Sequence, residues 1–133
     1  MSAIRAADAD TLAVEIKVEG LRSAKGNVLV CLTANPKAFP DCSKDISATR
    51  AKVPVGQAKA MHFDVPRSGQ YAIAVIHDEN ANGKLDTRFM MPREGFGFSR
   101  NPSISFGPPK FVSAQFAVGA AGATQSVKMK YML

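Results

Sequence analysis

Hydrophobic and polar residues alternate along much of this chain, and the alternation predicts β-strands. In residues 12–19, LAVEIKVE, every second residue is apolar, which is the period of a strand with one face in water. Residues 71–76, YAIAVI, are apolar almost throughout, as is typical of a strand buried on both faces. The predicted strands are residues 12–19, 28–33, 58–65, 71–76, 111–118 and 124–132.

Turn-forming residues separate these segments, and no segment has a convincing helical period. Gly20 ends the first strand, and residues 23–27 and 66–69 are rich in turn formers. We therefore predict an all-β fold, an antiparallel β-sandwich of about seven strands. With 133 residues the chain fits one domain. We expect residues 1–10 to be a disordered N-terminal segment and residues 11–133 to form the single sandwich domain.

A long irregular segment, residues 78–110, interrupts the strand pattern. Glycine and proline recur along it, and regular periodicity is scarce. An irregular segment of this length is unusual in a compact domain and tends to be functional. We therefore look for the function in residues 77–110.

The two cysteines, Cys31 and Cys42, are predicted to form a disulfide. The bond would close a loop of about 12 residues and add on the order of 3 kcal/mol in the chain-entropy model. The alternative is two unrelated thiols, since no CxxC motif or zinc-ligand spacing is present. A disulfide requires an oxidising compartment, so we expect a periplasmic or secreted protein.

Charge and hydropathy exclude two classes of partner. The net charge is +6, but the basic residues are scattered rather than clustered among aromatics, so we expect no nucleic-acid binding. No apolar run approaches the roughly 20 residues of a membrane span. Residues 1–10 lack the apolar core of a signal peptide, which fits either a cytoplasmic protein or a mature exported domain.

The oxygen-rich residues 77–86, HDENANGKLD, are the chemical focus of the sequence. They match the first part of a calcium loop, in which oxygens at alternating positions point inward and a glycine permits the sharp turn. The candidate metal ligands are Asp78, Asn80, Asn82, the carbonyl of Lys84, and Asp86. The twelfth position should be glutamate but is Phe89, and Asn-Gly also forms metal-free turns. Calcium binding stays open, and the departure at Phe89 favours a structural loop without metal.

His77 and Glu94 are the candidates for acid–base chemistry. Adjacent side chains on a strand point to opposite faces, so His77 and Asp78 are not expected to form a dyad. A hydrolase could combine His77 with Glu94 or Asp86 across the long loop. The simpler alternative is a histidine that caps backbone at a strand end. No GxSxG, phosphate-loop or HExxH motif is present.

Aromatic residues alternate with glycine at residues 95–98, GFGF. Glycine lets the backbone approach another surface closely, while the two phenylalanines either line a shallow pocket or cover an open end of the sandwich. The candidate binding residues are His77, Arg93, Glu94, Phe96, Phe98 and Arg100.

Three motifs together resemble a known family. They are HDENANGKLD at residues 77–86, PREGFGFS at 92–99, and GPP at 107–109 with the following Phe111. In this order and spacing they resemble the bacterial domain of unknown function 2141 family, over about residues 12–133. The resemblance implies an exported protein and fits a transthyretin-like or immunoglobulin-like sandwich. It supplies no catalytic residues.

We predict an exported, non-catalytic binding module that uses residues 77–110 to bind a protein or carbohydrate at the cell envelope, with calcium as the one cofactor considered. The alternative is a small hydrolase with a site of His77, Glu94 and Asp86. A further alternative is a structural surface protein that assembles through sheet edges. The sequence does not decide whether the protein is an enzyme, although it favours a protein without catalytic activity. It also leaves the oligomeric state open.

Overall fold

The computed structural model describes residues 11–42, 45–81, 87–88, 91–92, 94–104, 107 and 109–132. These ranges form ten strands, a 3₁₀ turn at Val55–Gln57 and a short helix, α1, at Phe111–Ala114. The strands are β1 (Leu12–Glu19), β2 (Asn27–Thr33), β3 (Thr49–Pro54), β4 (Ala60–Val65), β5 (Gly69–Asp78), β6 (Thr87–Arg88), β7 (Met91–Pro92), β8 (Gly95–Phe98), β9 (Phe116–Val118) and β10 (Ala123–Lys128).

The strands form two main sheets, so the predicted all-β sandwich is confirmed. The three-stranded sheet has the order β10-β1-β4. The five-stranded sheet has the order β3-β2-β5-β8, and β9 also pairs with β5. The pairs within these sheets are antiparallel except β1 with β10, which is parallel. The antiparallel prediction is wrong for that one pair, because no hairpin joins the two strands and fixes their direction.

The central strand of the five-stranded sheet, β5, is buried on both faces. Its inner face packs on the three-stranded sheet through Ile73, Val75 and their neighbours. Its outer face, with Ala72 and Ala74, lies under a second apolar cluster that includes Phe39. The uninterrupted apolar sequence at 71–76 is therefore explained by β5, which needs apolar residues on each side.

The predicted disulfide between Cys31 and Cys42 is present in the outer cluster. Cys31 lies on β2, and the bond joins it to the loop that carries Phe39. Phe39 contacts Phe98 and Phe111 edge-on, with ring centroids 5.8 and 6.1 Å apart. The disulfide thus holds an aromatic cover against the outer face of the sheet.

The glycines of the GFGF segment face the three-stranded sheet. A Cβ atom at Gly95 would lie 2.3 Å from the Tyr131 ring, and one at Gly97 would lie 2.6 Å from Val127 Cγ1. The intervening Phe96 and Phe98 point into the outer cluster. The alternation therefore lets β8 pack closely against the C-terminal strand on one face while its aromatics fill the other.

The prediction of a strand over residues 111–118 is wrong for its first half. Residues 111–114 form α1, and only residues 116–118 are extended as β9. Phe111 and Ala114 are both buried. A spacing of three places two side chains on one side of a helix but on opposite faces of a strand, so helix formation buries both. The strands β3, β6, β7 and β8 were not predicted from the pattern.

We predict that Gly97→Ala destabilises the fold by about 1–3 kcal/mol, because the added methyl group overpacks the contact between β8 and Val127. Equilibrium denaturant unfolding measures the effect. Gly56→Ala is the matched control, since a Cβ at Gly56 meets no atom within 4 Å. Equal stabilities of the two variants would contradict this close approach.

Candidate functional site

Three buried polar side chains surround the end of β5. His77 and Asp78 have no solvent exposure, and Glu94 just before β8 is 4% exposed. In the five-stranded sheet, Asn27 of β2 lies beside Asp78, and Gly95 of β8 lies beside His77. Each of these positions is at the same end of the sandwich, where the long irregular segment begins.

His77 joins two distant parts of the chain through its ring nitrogens. Nε2 lies 2.8 Å from the Lys25 carbonyl oxygen, and Nδ1 lies 2.7 Å from the Tyr131 hydroxyl. A carbonyl only accepts, so we assign the proton to Nε2, which leaves Nδ1 to accept from Tyr131 in the neutral ring. The Tyr131 oxygen in turn accepts the Arg22 backbone N–H at 3.1 Å. This is the bonding of a histidine that caps backbone at a strand end.

Glu79 closes the cluster from the solvent side. Its Oε1 accepts hydrogen bonds from Arg22 Nη2 at 2.6 Å and Nε at 3.2 Å, and its Oε2 accepts from Ser23 Oγ at 2.8 Å. The Arg22 guanidinium also lies over the Tyr131 ring, 4.4 Å from its centroid. Arg22 therefore binds a carboxylate and an aromatic face at once.

These contacts shift the pKa values of three groups. Hydrogen bonds from Arg22 first, and also from Ser23, lower the pKa of Glu79 to about 2. The hydrogen bond to Glu79 raises the pKa of Arg22. Burial raises the pKa of the Tyr131 hydroxyl. Glu79 and Arg22 are thus a stable ion pair, and neither group is poised to transfer a proton near neutral pH.

The loop between β1 and β2 lies directly on the start of the oxygen-rich segment. Gly26 has φ +72°, and a Cβ at this position would lie 2.0 Å from the Asp78 carbonyl oxygen. Only glycine permits both this conformation and this approach. The close contact sets the Lys25 carbonyl against His77.

The proposed calcium ligands lie partly outside the described residues. Asp78 is buried, its carbonyl accepts the Ala81 N–H at 3.2 Å, and the Asn80 N–H donates to Glu94 Oε2 at 3.3 Å. Asn82, Lys84 and Asp86 fall outside the described ranges. Within those ranges no group of three His, Cys, Asp or Glu side chains is arranged to hold a metal. Calcium binding stays a prediction.

The structure places the other candidate binding residues in different environments. Phe96 and Phe98 are buried at 5% and 7% exposure, and they cover the outer face of the five-stranded sheet. Arg100 is exposed, with φ +64° and its N–H 3.2 Å from Gln125 Oε1. Arg93 lies outside the described residues.

Sequence reasoning missed Arg22, Ser23 and Tyr131. Arg22 and Tyr131 are 109 positions apart, and no local motif links them. The one available signal is Gly95, since a glycine inside a strand indicates close approach of another group. That group is the Tyr131 ring.

Ser99, just after β8, has a structural role. Ser99 is fully buried, its hydroxyl donates to the Ala114 carbonyl at 2.5 Å, and it accepts the Ile73 N–H at 2.9 Å. It therefore connects β5 to α1. Every buried side-chain nitrogen or oxygen in the described part of the chain has a hydrogen-bond partner.

A groove opens on the outer side of the five-stranded sheet. It has a volume of about 580 Å³ and lies between the disulfide loop, at Pro36, Phe39 and Pro40, and residues 109–112 with Gln115. Its walls are mainly proline, phenylalanine and valine. Val112 of α1 is 66% exposed, and Lys110 supplies a charge. The groove is an apolar surface with one cation at its side.

Comparison with known proteins gives one match. The model of a bacterial protein family, described as an uncharacterized protein conserved in bacteria (DUF2141), matches residues 16–126. The chain belongs to the DUF2141 family. This confirms the resemblance inferred from the sequence. Searches of curated proteins and of solved structures give no significant match to this DUF2141 protein. Among the described residues, no helix is long and apolar enough to span a membrane.

We predict that Glu79→Gln lowers the stability of the DUF2141 protein at neutral pH by on the order of 1 kcal/mol, since solvent screens the partly exposed Arg22. The pKa of Glu79 falls from 4.5 to about 2 on folding, so its carboxylate stabilises the fold above pH 4.5. That contribution is lost as the pH falls from about 4.5 to about 2.

Unfolding free energies measured across this pH range for wild type and Glu79→Gln test the prediction. The difference between them is expected to disappear towards pH 2. Glu19→Gln removes an exposed carboxylate and is the control. A difference that stays constant from neutral pH to about pH 2 would disprove the role of the ion pair.

The two interpretations of the oxygen-rich segment differ in their response to calcium. If the segment binds calcium with an affinity typical of extracellular sites, about 5 mM calcium raises the melting temperature by several degrees. A loop that satisfies its own backbone leaves the melting temperature unchanged. Thermal melting with calcium, with equal magnesium and with chelator distinguishes them. Asp78→Asn should abolish any calcium-specific rise.

Proposed function

We propose that this DUF2141 protein is an exported, non-catalytic binding module, and that the groove between the disulfide loop and α1 is its binding surface. The observation that carries the proposal is the groove itself. Its volume of about 580 Å³ lies within the range of ligand pockets, roughly 300–1,000 Å³. The disulfide between Cys31 and Cys42, which needs an oxidising compartment, supports the exported location.

The chemistry of the groove favours an acidic, partly apolar peptide segment as the partner. The prolines, Phe39 and the exposed Val112 offer apolar contact. Lys110 lines the groove, and the exposed Lys37 follows Pro36 at its other side. Positive charge around an apolar surface attracts carboxylates that flank an apolar side chain. A carbohydrate would need more polar groups than Lys110 and Gln115 supply.

The long segment contributes to this surface from two directions. Its last residues, Pro109 and Lys110, line one side of the groove. Phe98 lies beneath, where its ring contacts Phe39. Residues 77–110 therefore remain the proposed functional segment. Its residue Phe98 supports the groove from beneath through Phe39.

The bonding of His77 and Ser99 favours a binding role over the alternative hydrolase. Both ring nitrogens of the buried His77 are held by Lys25 and Tyr131. The Ser99 hydroxyl is held between two backbone groups. A general base or nucleophile needs a free lone pair facing substrate. Asp86, the third member of the alternative site, lies outside the described residues.

Titration with a short peptide that alternates glutamate with leucine or proline tests the proposal. We expect the amide NMR signals that shift to cluster at Lys37, Lys110, Val112 and Gln115. Lys110→Glu is expected to weaken binding by about tenfold or more, because it places like charge against the peptide. Lys59→Glu makes the same charge change at an exposed position outside the groove lining and is the matched control.

Shifts that appear elsewhere, or equal loss of affinity in both variants, would contradict the groove as the binding surface. The same titration with a peptide carrying lysine in place of glutamate separates charge recognition from simple apolar contact. Equal affinity for the two peptides would contradict the acidic partner.

A further inference from the structure

The outer edge of β4 is a free sheet edge in the part of the chain that the structure describes. In the residues that the structure describes, β4 pairs with β1 alone. The opposite edge of that sheet, β10, is contacted by the Asn101 side chain, which donates to the Ser126 carbonyl and accepts the Lys128 N–H. Free strand edges carry unpaired backbone groups that can pair with another chain.

The β3 edge of the five-stranded sheet carries residues that oppose pairing. The strand β3 pairs with β2 alone, and it carries the exposed Arg50 and Lys52 and ends at Pro54. Basic side chains and proline on an edge strand discourage pairing. The sequence of β4, AMHFDV, has no lysine, arginine or proline, and its one basic side chain, His62, is paired with Glu15 and Asp64. The two edges therefore differ in their readiness to accept a partner strand.

The hydrogen-bond pattern shows which groups of β4 face outward. The Val18 N–H donates to the Lys59 carbonyl at 3.1 Å, so the backbone groups of Lys59 point towards β1. In an antiparallel pair such groups alternate, so those of Ala60, His62 and Asp64 point to the free edge. All three residues are exposed.

We propose that two copies of the protein pair antiparallel through β4, about a two-fold axis at Phe63, and join their three-stranded sheets into one of six strands. In this register the backbone of His62 bonds to that of Asp64 of the partner subunit, and the imidazole faces a carboxylate. Cross-strand pairs of opposite charge are favourable. The same contact occurs twice, as two-fold symmetry requires.

The neighbouring registers are disfavoured by charge. Moving the axis to His62 sets two histidines opposite each other, and moving it to Asp64 sets two carboxylates opposite each other. Registers shifted by one residue pair outward-pointing groups with inward-pointing ones and lose the hydrogen bonds. Within one subunit His62 also contacts Glu15 and Asp64, and these hydrogen bonds raise its pKa, which favours the cation.

The apolar side of β4 completes the contact. Phe63 is only partly buried and packs at the margin of the inter-sheet core. At the axis it meets the partner's Phe63 as a non-hydrogen-bonded pair, the geometry in which cross-strand side chains come closest. The area is small for a protein interface, so we expect a weak dimer that forms at high micromolar concentration or above.

Sedimentation equilibrium from about 10 µM to about 1 mM tests the proposal on the full chain. The average mass is expected to rise from 14.2 kDa towards twice that value. His62→Asp and Asp64→His each place like groups across the axis and should weaken the dimer about tenfold or more. The double variant restores opposite charges and should recover it. Arg50→Asp on β3 is the control.

Register is tested by Phe63→Cys, because no cysteine in the described residues is free. Oxidation should crosslink this variant, and His62→Cys should crosslink far less, since only position 63 meets itself across the axis. Circular dichroism and melting confirm that each variant is folded. A monomer at about 1 mM, which would also result if another segment of the chain covers β4, overturns the proposal. So does a dimer that survives both single substitutions and is not restored by the double one.

Discussion

The double-sided burial of β5 is the constraint on which the rest of this structure depends. A strand covered on both faces needs two separate apolar layers. The three-stranded sheet supplies the inner layer, and the disulfide loop, β8 and α1 supply the outer one. The outer layer is built from segments with little regular structure, so it depends on the Cys31–Cys42 bond and on Phe39, Phe98 and Phe111 to hold it against the sheet.

The polar cluster at the end of β5 follows from the same burial. His77 continues the inner face of the strand beyond Val75, where a side chain with two nitrogens has no access to water. Each nitrogen therefore needs a partner within the protein. The β1–β2 loop provides the Lys25 carbonyl and the C-terminal segment provides Tyr131. Burial thus makes His77 a link between distant segments, which favours a structural role over an acid–base one.

The outer layer also creates the groove. Because the disulfide loop and α1 are separate pieces laid over one sheet, a cleft lined by proline and phenylalanine is left between them. The strand β4 has a free edge because it is a terminal strand of the three-stranded sheet in the described residues. The groove and the β4 edge belong to different sheets, so the proposed peptide site and the proposed dimer contact can be tested independently.

How much the sequence revealed differs between elements. The period-two pattern at residues 12–19 and the apolar run at 71–76 identified β1 and β5, because burial on one or two faces leaves a direct mark on residue order. The motifs at 77–86, 92–99 and 107–111 together indicated the DUF2141 family, which the family model confirms. The helix α1 was not predicted, since four residues are too few to display a helical period. The strand β8 was not predicted either, because the positions that face Tyr131 and Val127 are glycines rather than apolar side chains.

The sequence by itself determined the strand-rich fold class, and it favoured the disulfide between its two cysteines that the structure shows. These depend on local periodicity and on having only two thiols to pair. Only the tertiary structure decided that Phe96 and Phe98 lie beneath the surface and that His77 is bonded to Lys25 and Tyr131. It also revealed the groove between the disulfide loop and α1, on which the proposed binding function rests. The physical reason is that such contacts join residues far apart in the chain, and no local pattern records them.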